Sequence, residues 1–157
     1  MKGSAKVIAA LNEALQEELT AINQYFLHAE MCENWKYETL AKFIKKQSID
    51  EMKHAEKLVE RILFLDGSPN ITGPANLKVG KNVKEQLAND LVLELGAVKM
   101  YNNSVKLARE EADNASAELF TKLLHDEEEH ADWLEAQLHL IEEIGYERYL
   151  SRQMGED

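Results

Sequence analysis

Apolar residues recur at three- and four-residue steps over most of this chain, and nowhere do they alternate with polar residues as a half-buried strand requires. From Ser4, a suitable N-cap, the series Val7, Ile8, Leu11, Leu15, Leu19, Ile22 and Phe26 predicts a first helix that runs until "CENWKYET" interrupts it. A second series, from about Tyr37 through Leu40, Phe43, Ile44, Met52, Leu58, Ile62 and Leu65, predicts another helix that stops at "DGSPN", where Gly67 and Pro69 punctuate the chain. "NVKE" at residues 82–85 reads as a capping box, and the helix it opens extends to about Glu111. Asp113 or Asn114 starts a fourth helix that ends near Gly145, leaving "YERYLSRQM" for a short fifth.

The segment from Asp66 to Lys81 can span at most about 55 Å, and a helix of roughly thirty residues is about 43 Å long. It can therefore cross the whole length of a bundle. Short links within the first and second helix pairs make antiparallel hairpins, and a full-length crossover between the pairs makes the second and third helices parallel. The fold class expected is all-α: an antiparallel four-helix bundle with one long crossover and a short C-terminal helix, the 157 residues forming one domain.

Charge narrows the partners. Eighteen basic against 29 acidic side chains give a net charge of -11, which repels phosphate backbones and makes nucleic acid an unsuitable partner. The single cysteine, Cys32, cannot form an intrachain disulfide or a cysteine-ligated metal site and reads as a buried thiol in a reducing compartment. No apolar run reaches membrane-spanning length, and the N-terminus becomes charged too soon for a signal peptide, so a cytoplasmic location is expected.

The chain repeats itself. Shifted by 76 residues, Glu18 falls on Glu94, Tyr25 on Tyr101, Glu51 on Glu127, His54 on His130 and Leu58 on Leu134. Residues at i and i+3 lie about 60° apart around a helix, so Glu51 and His54 share a face, as do Glu127 and His130. Glu18 and Glu94 sit in the apolar contexts "EELTAI" and "LELGAV", where an unpaired buried carboxylate costs several kcal/mol. Four carboxylates and two imidazoles can neutralise two divalent ions, and this oxygen and nitrogen set suits iron or manganese while also accepting zinc. A Glu from each of two helices with Glu-x-x-His from each of the others is the di-metal carboxylate pattern of helix bundles. Tyr25 and Tyr101, each seven residues beyond the lone Glu, are candidates to bond a ligand carboxylate or donate an electron. Glu17, Glu128 and Glu129 point elsewhere around their helices and read as solvated.

Three stretches, "MKGSAKVIAALNEALQEELTAINQYFLHAEM", "SIDEMKHAEKLVERILFLDG" and "DEEEHADWLEAQLHLIEEIGYERYL", resemble the bacterioferritins, the haem-containing bacterial ferritins. The resemblance implies a ferroxidase centre of Glu18, Glu51, His54, Glu94, Glu127 and His130, with Glu51 and Glu127 bridging two irons. It also implies a hollow homo-oligomeric shell of 24 subunits built from two-fold dimers, storing ferric mineral made from Fe(II) with O2 or H2O2. One haem b per subunit pair would be ligated by Met52 from each partner, with a ferredoxin-type reductase supplying electrons for iron release. Met52 lies about 100° around its helix from Glu51, so by angle alone it is an interface residue. Lys46 stands where some members of the family carry a His that works with an acid matching Asp50, and a lysine ammonium is a poor ligand. Two alternatives share parts of the pattern: a rubrerythrin-like di-iron peroxidase, and a haem-carrying shell subunit with an inert ion such as zinc in the site. A Dps-type mini-ferritin builds its iron site between subunits and does not need two full motifs in one chain.

Overall fold

The structure, a computed structural model, describes residues 1–73 and 76–155. Its described elements are all helices: α1 Ala5–Asn34, α2 Glu38–Phe64, α3 Val83–Glu110, α4 Asn114–Ile144 and α5 Tyr146–Arg152. The boundaries follow the sequence signals closely. Ser4 Oγ accepts from the Lys6 and Val7 amides, Asn82 Oδ1 from the Glu85 amide at 2.9 Å, and the Asp113 side chain from the Ser116 amide. The capping box at Asn82 is incomplete: the Glu85 carboxylate accepts from the Asn82 side-chain amide, at 3.3 Å, and not from its backbone.

Three helices end in the same left-handed turn, and none uses glycine for it. Lys36, Asp66 and Ala112 have φ of 73°, 61° and 58°. Around each, the next amide reaches back five residues, Tyr37 to Cys32, Gly67 to Ile62 and Asp113 to Ala108, which is the Schellman closure. The second helix thus ends at Phe64 and turns at Asp66, the first residue of the "DGSPN" expected to stop it. Gly67 serves a different purpose, since a Cβ there would come within 2.8 Å of the Ile8 side chain and 3.0 Å of the Ile62 side chain.

Helix α1 packs on α2 and α3 on α4, and the two hairpins meet through α1 with α3 and α2 with α4. Cross-helix bonds set the directions. Tyr25 reaches Glu94 while Cys32 reaches Gln86, so α1 and α3 are antiparallel. His54 reaches Glu127 while Arg61 reaches Asp113, so α2 and α4 are antiparallel too. It follows that α2 and α3 run parallel, as the length of the crossover permits.

The crossover is laced to α1 by a stripe of polar residues at four-residue spacing. Asn12 Nδ2 donates to Ser68 O and its Oδ1 accepts from Asn70 N, and Gln16 donates to Asn70 O. Further along, Lys78 N donates to Gln24 Oε1 and Gly80 N to His28 Nε2. Gln24 Nε2 also donates to Asp90 Oδ1 at 2.8 Å, and His28 Nδ1 lies 2.9 Å from the same oxygen, so this buried polar group ties α1, α3 and the crossover together.

Two apolar clusters fill the bundle on either side of a polar middle layer. One is built on Leu11, Leu15, Leu58, Ile62 and Phe120, the other on Leu40, Ile44, Leu87, Leu134 and Tyr149. Cys32 is buried in the second, and burial pushes its thiol up to about 12, so it is un-ionised and unreactive at neutral pH.

Candidate metal centre

The middle layer holds the six residues singled out by the repeat. Glu18, Glu51, His54, Glu94 and Glu127 are buried and His130 nearly so. Each of the four long helices contributes, Glu18 from α1, Glu51 and His54 from α2, Glu94 from α3, Glu127 and His130 from α4. Burying four carboxylates in this way is unfavourable for each alone.

Their arrangement resolves into two overlapping groups, Glu18, Glu51, His54 and Glu127 on one side, Glu51, Glu94, Glu127 and His130 on the other. Glu51 and Glu127 belong to both. Glu51 turns Oε2 toward His54 Nδ1 at 3.5 Å and Oε1 toward His130 Nδ1 at 2.8 Å. Glu127 does the reverse, with Oε1 at 2.9 Å from His54 Nδ1 and Oε2 at 3.5 Å from His130 Nδ1. Glu18 and Glu94 close the two ends, 3.4 Å and 3.6 Å from Nδ1 of His54 and His130 respectively. The imidazole rings lie nearly parallel with centroids 6.3 Å apart.

The chemistry of this donor set fits two divalent cations. Glu18 Oε2, Glu51 Oε1, Glu94 Oε2 and His130 Nδ1 are buried without an aligned hydrogen-bond partner, although His130 Nδ1 and Glu51 Oε1 are in close contact. Burial and the charge of Glu127 raise Glu18 to about 7, and burial with the charge of Glu18 raises Glu51 to about 8. Burial and Glu127 push Glu94 well above the carboxylate range. Burial opposes charge on the two histidines, but hydrogen bonds to the surrounding glutamates outweigh it and raise both strongly. Without metal the cluster holds together by sharing protons; cations would displace them and bind the same atoms.

Both tyrosines reach the cluster, each crossing to the other half of the repeat. Tyr25 of α1 donates to Glu94 Oε1, and Tyr101 of α3 donates to Glu18 Oε1 at 2.5 Å. Sequence spacing had placed each tyrosine on the face of its own lone Glu; antiparallel packing of α1 on α3 exchanges them. One residue at the centre was not anticipated. Asp126 Oδ2 lies 2.9 Å from His54 Nε2, on the outward side of the ring. The 76-residue register already pointed to it, because Asp126 is the mate of Asp50, but in the acidic run "HDEEEH" it looks like any solvated acid.

A profile of the ferritin-like domain matches residues 8–144, the span that holds all six residues. A bacterioferritin of Brucella melitensis is 48% identical over 149 residues, covering 95% of this chain and 92% of the relative. The chain belongs to the bacterioferritin family. Bacterioferritins of Streptomyces coelicolor, 46% identical with 96% of this chain and 90% of the relative covered, and of Mycobacterium bovis, 44% identical with 95% and 94% covered, agree along the same length. Iron storage is therefore the function at the level of the bacterioferritin family.

Met52 stands apart from the centre. It is 50% exposed on α2, with Ile49 one turn before it and Phe26 on α1 at 47% and 53%. Lys46 is also exposed. No described helix is long and apolar enough to cross a membrane.

Proposed function

We propose that the chain, a single ferritin-like domain, is a ferroxidase subunit of an iron-storing shell. The observation that carries this reading is the sharing of Glu51 and Glu127 between two ligand groups, which suits a pair of ferrous ions bound side by side as substrates. Glu18 and His54 complete one position, Glu94 and His130 the other. Two ferrous ions supply two electrons: with O2 and two protons they yield two ferric ions and H2O2, and with H2O2 and two protons they yield two ferric ions and two waters.

The chain's own groups set up that exchange. Loading Fe(II) expels the protons held by the glutamates and histidines, and the carboxylate charges then favour the ferric product. Tyr25 and Tyr101 hold Glu94 and Glu18 by their hydroxyls and keep those carboxylates aimed inward. Ferric iron passes to mineral inside a cytoplasmic shell of 24 copies assembled from two-fold dimers.

A haem b shared by two subunits, ligated by Met52 of each, is part of this reading. Met52 and Ile49 on α2 and Phe26 on α1 are exposed apolar side chains that a bound group or a second subunit would cover. A two-fold axis there brings one thioether from each subunit to a shared site. Bound haem would supply one-electron transfer, taking electrons from a ferredoxin-type reductase to stored ferric iron.

The test is ferrous oxidation under air, followed by ferric absorbance. Wild type should oxidise two Fe(II) per chain in a fast first phase, and Glu94→Ala or His130→Ala should lose that phase while the helical content stays. A wild-type protein with no fast phase, carrying zinc in the site, would make it an inert shell subunit; rapid turnover of peroxide without mineral growth would make it a di-iron peroxidase.

A further inference from the structure

The 76-residue repeat makes the two ion positions look equivalent, yet one contact breaks the symmetry. His54 is held from both sides: Nδ1 faces Glu127, Glu18 and Glu51, and Nε2 faces Asp126 Oδ2 at 2.9 Å. Asp126 is half-exposed, at the edge of a cavity of about 430 Å³ between α2 and α4 that also receives His130 and Asp50. Asp50 is its counterpart in the repeat. Among the described residues, no hydrogen bond or ion pair joins Asp50 to His130, and none reaches His130 Nε2; His130 is engaged through Nδ1 alone.

We propose that Asp126 is a positioning residue for His54 and that it makes the Glu18–His54 position the tighter of the two. The proposal rests on the reading of the six residues as a two-ion centre. A neutral imidazole carries one N–H, and an ion at Nδ1 requires that proton on Nε2. Asp126 accepts it there, which selects the metal-binding tautomer, fixes the ring plane and makes Nδ1 a stronger donor. His130 must find its tautomer and orientation without such a partner and binds its ion with a larger ordering cost. The inequality is useful in a centre that must load two ions and then release them, because the first ion settles at His54 and its presence orients Glu51 and Glu127 for the second.

The experiment is a Co(II) titration of the assembled, iron-free protein by calorimetry, with visible absorption of the bound cobalt recorded in parallel. Wild type should bind two Co(II) per chain with distinct affinities. Asp126→Ala should weaken the tighter ion by about 10- to 100-fold and change its absorption while leaving the weaker ion in place. Asp126→Asn, whose side-chain oxygen still accepts from Nε2, should recover most of the lost affinity. An Asp126→Ala protein with both wild-type affinities and spectra, or one that weakens the two ions equally, would overturn the proposal. His54→Ala separates the two levels of the argument: it should bind one ion, and if it still binds two, or if wild type binds fewer than two, the two-ion reading itself fails.

Discussion

Tyr101 on α3 donates its hydroxyl proton to Glu18 on α1 at 2.5 Å, and Tyr25 on α1 does the same for Glu94 on α3. The two bonds cross between the halves of the sequence repeat. Each half of the repeat therefore supplies a tyrosine hydroxyl that holds a candidate ligand of the other half.

Removing one hydroxyl tests that exchange. Tyr101→Phe leaves a buried carboxylate oxygen without its donor, at a cost of about 1–3 kcal/mol to the iron-free protein. Thermal melting should show the loss, and Fe(II) binding should weaken by roughly tenfold. Tyr25→Phe should do the same through Glu94. Unchanged melting and binding in both variants would mean the hydroxyls do not hold the ligands.

Protonation gives the iron-free protein a distinctive pH response. Glu18 and Glu51 are raised to about 7 and about 8 from an ordinary value of 4.5, so the folded state holds their protons more tightly than the unfolded state. Their contribution is fully present below about pH 4.5 and is lost as pH rises through 7 to 8. The histidines, also raised, act in the same direction: their stabilisation is present below the ordinary 6.5 and declines above it. Melting of the iron-free protein should therefore fall from pH 6 to 8.5, and Zn(II), which displaces the protons, should restore more stability at pH 8.5 than at 6. A stability rising over that interval would contradict the proton-sharing cluster.

Much of this was legible beforehand, for physical reasons that differ from residue to residue. Helix limits follow from local signals: Ser4, Asn82 and Asp113 cap as their side chains dictate. That Glu18, Glu51, His54, Glu94, Glu127 and His130 gather in one layer was legible because carboxylates in apolar helices, repeated at one offset, point to a shared site. Contacts across helices were not. Asp126 gains its meaning only from the packing of α4 on α2, and the tyrosine exchange only from the antiparallel register of α1 and α3. The stripe Asn12, Gln16, Gln24 and His28 carried a signal in its four-residue spacing, but its purpose is set by where the crossover lies.

Ala112 offers a test of the fold alone. It closes α3 at φ 58°, a conformation that costs an L-residue with a Cβ about 1–2 kcal/mol. Ala112→Gly should relieve that strain, offset in part by glycine's greater unfolded-state freedom, and raise stability by up to about 1 kcal/mol in denaturant unfolding. A lower midpoint would show that the turn is not as described.

A change at Met52 tests the proposed haem site apart from oxidation. Met52→Leu keeps the apolar surface and removes the sulfur, so the shell should assemble to the same size by light scattering and oxidise Fe(II) at the wild-type rate. The haem band, about one per two chains in wild type, should vanish. Full haem occupancy in the variant would place the ligand elsewhere.

The central claim is that two ferrous ions sit side by side within one chain, sharing Glu51 and Glu127. Crystals soaked with Fe(II) without oxygen, and measured at the iron absorption edge, test it most directly. The account predicts two anomalous peaks per chain, one beside Glu18 and His54, the other beside Glu94 and His130, with Glu51 and Glu127 contacting both. A single peak, or iron bound only outside these six residues, would contradict it.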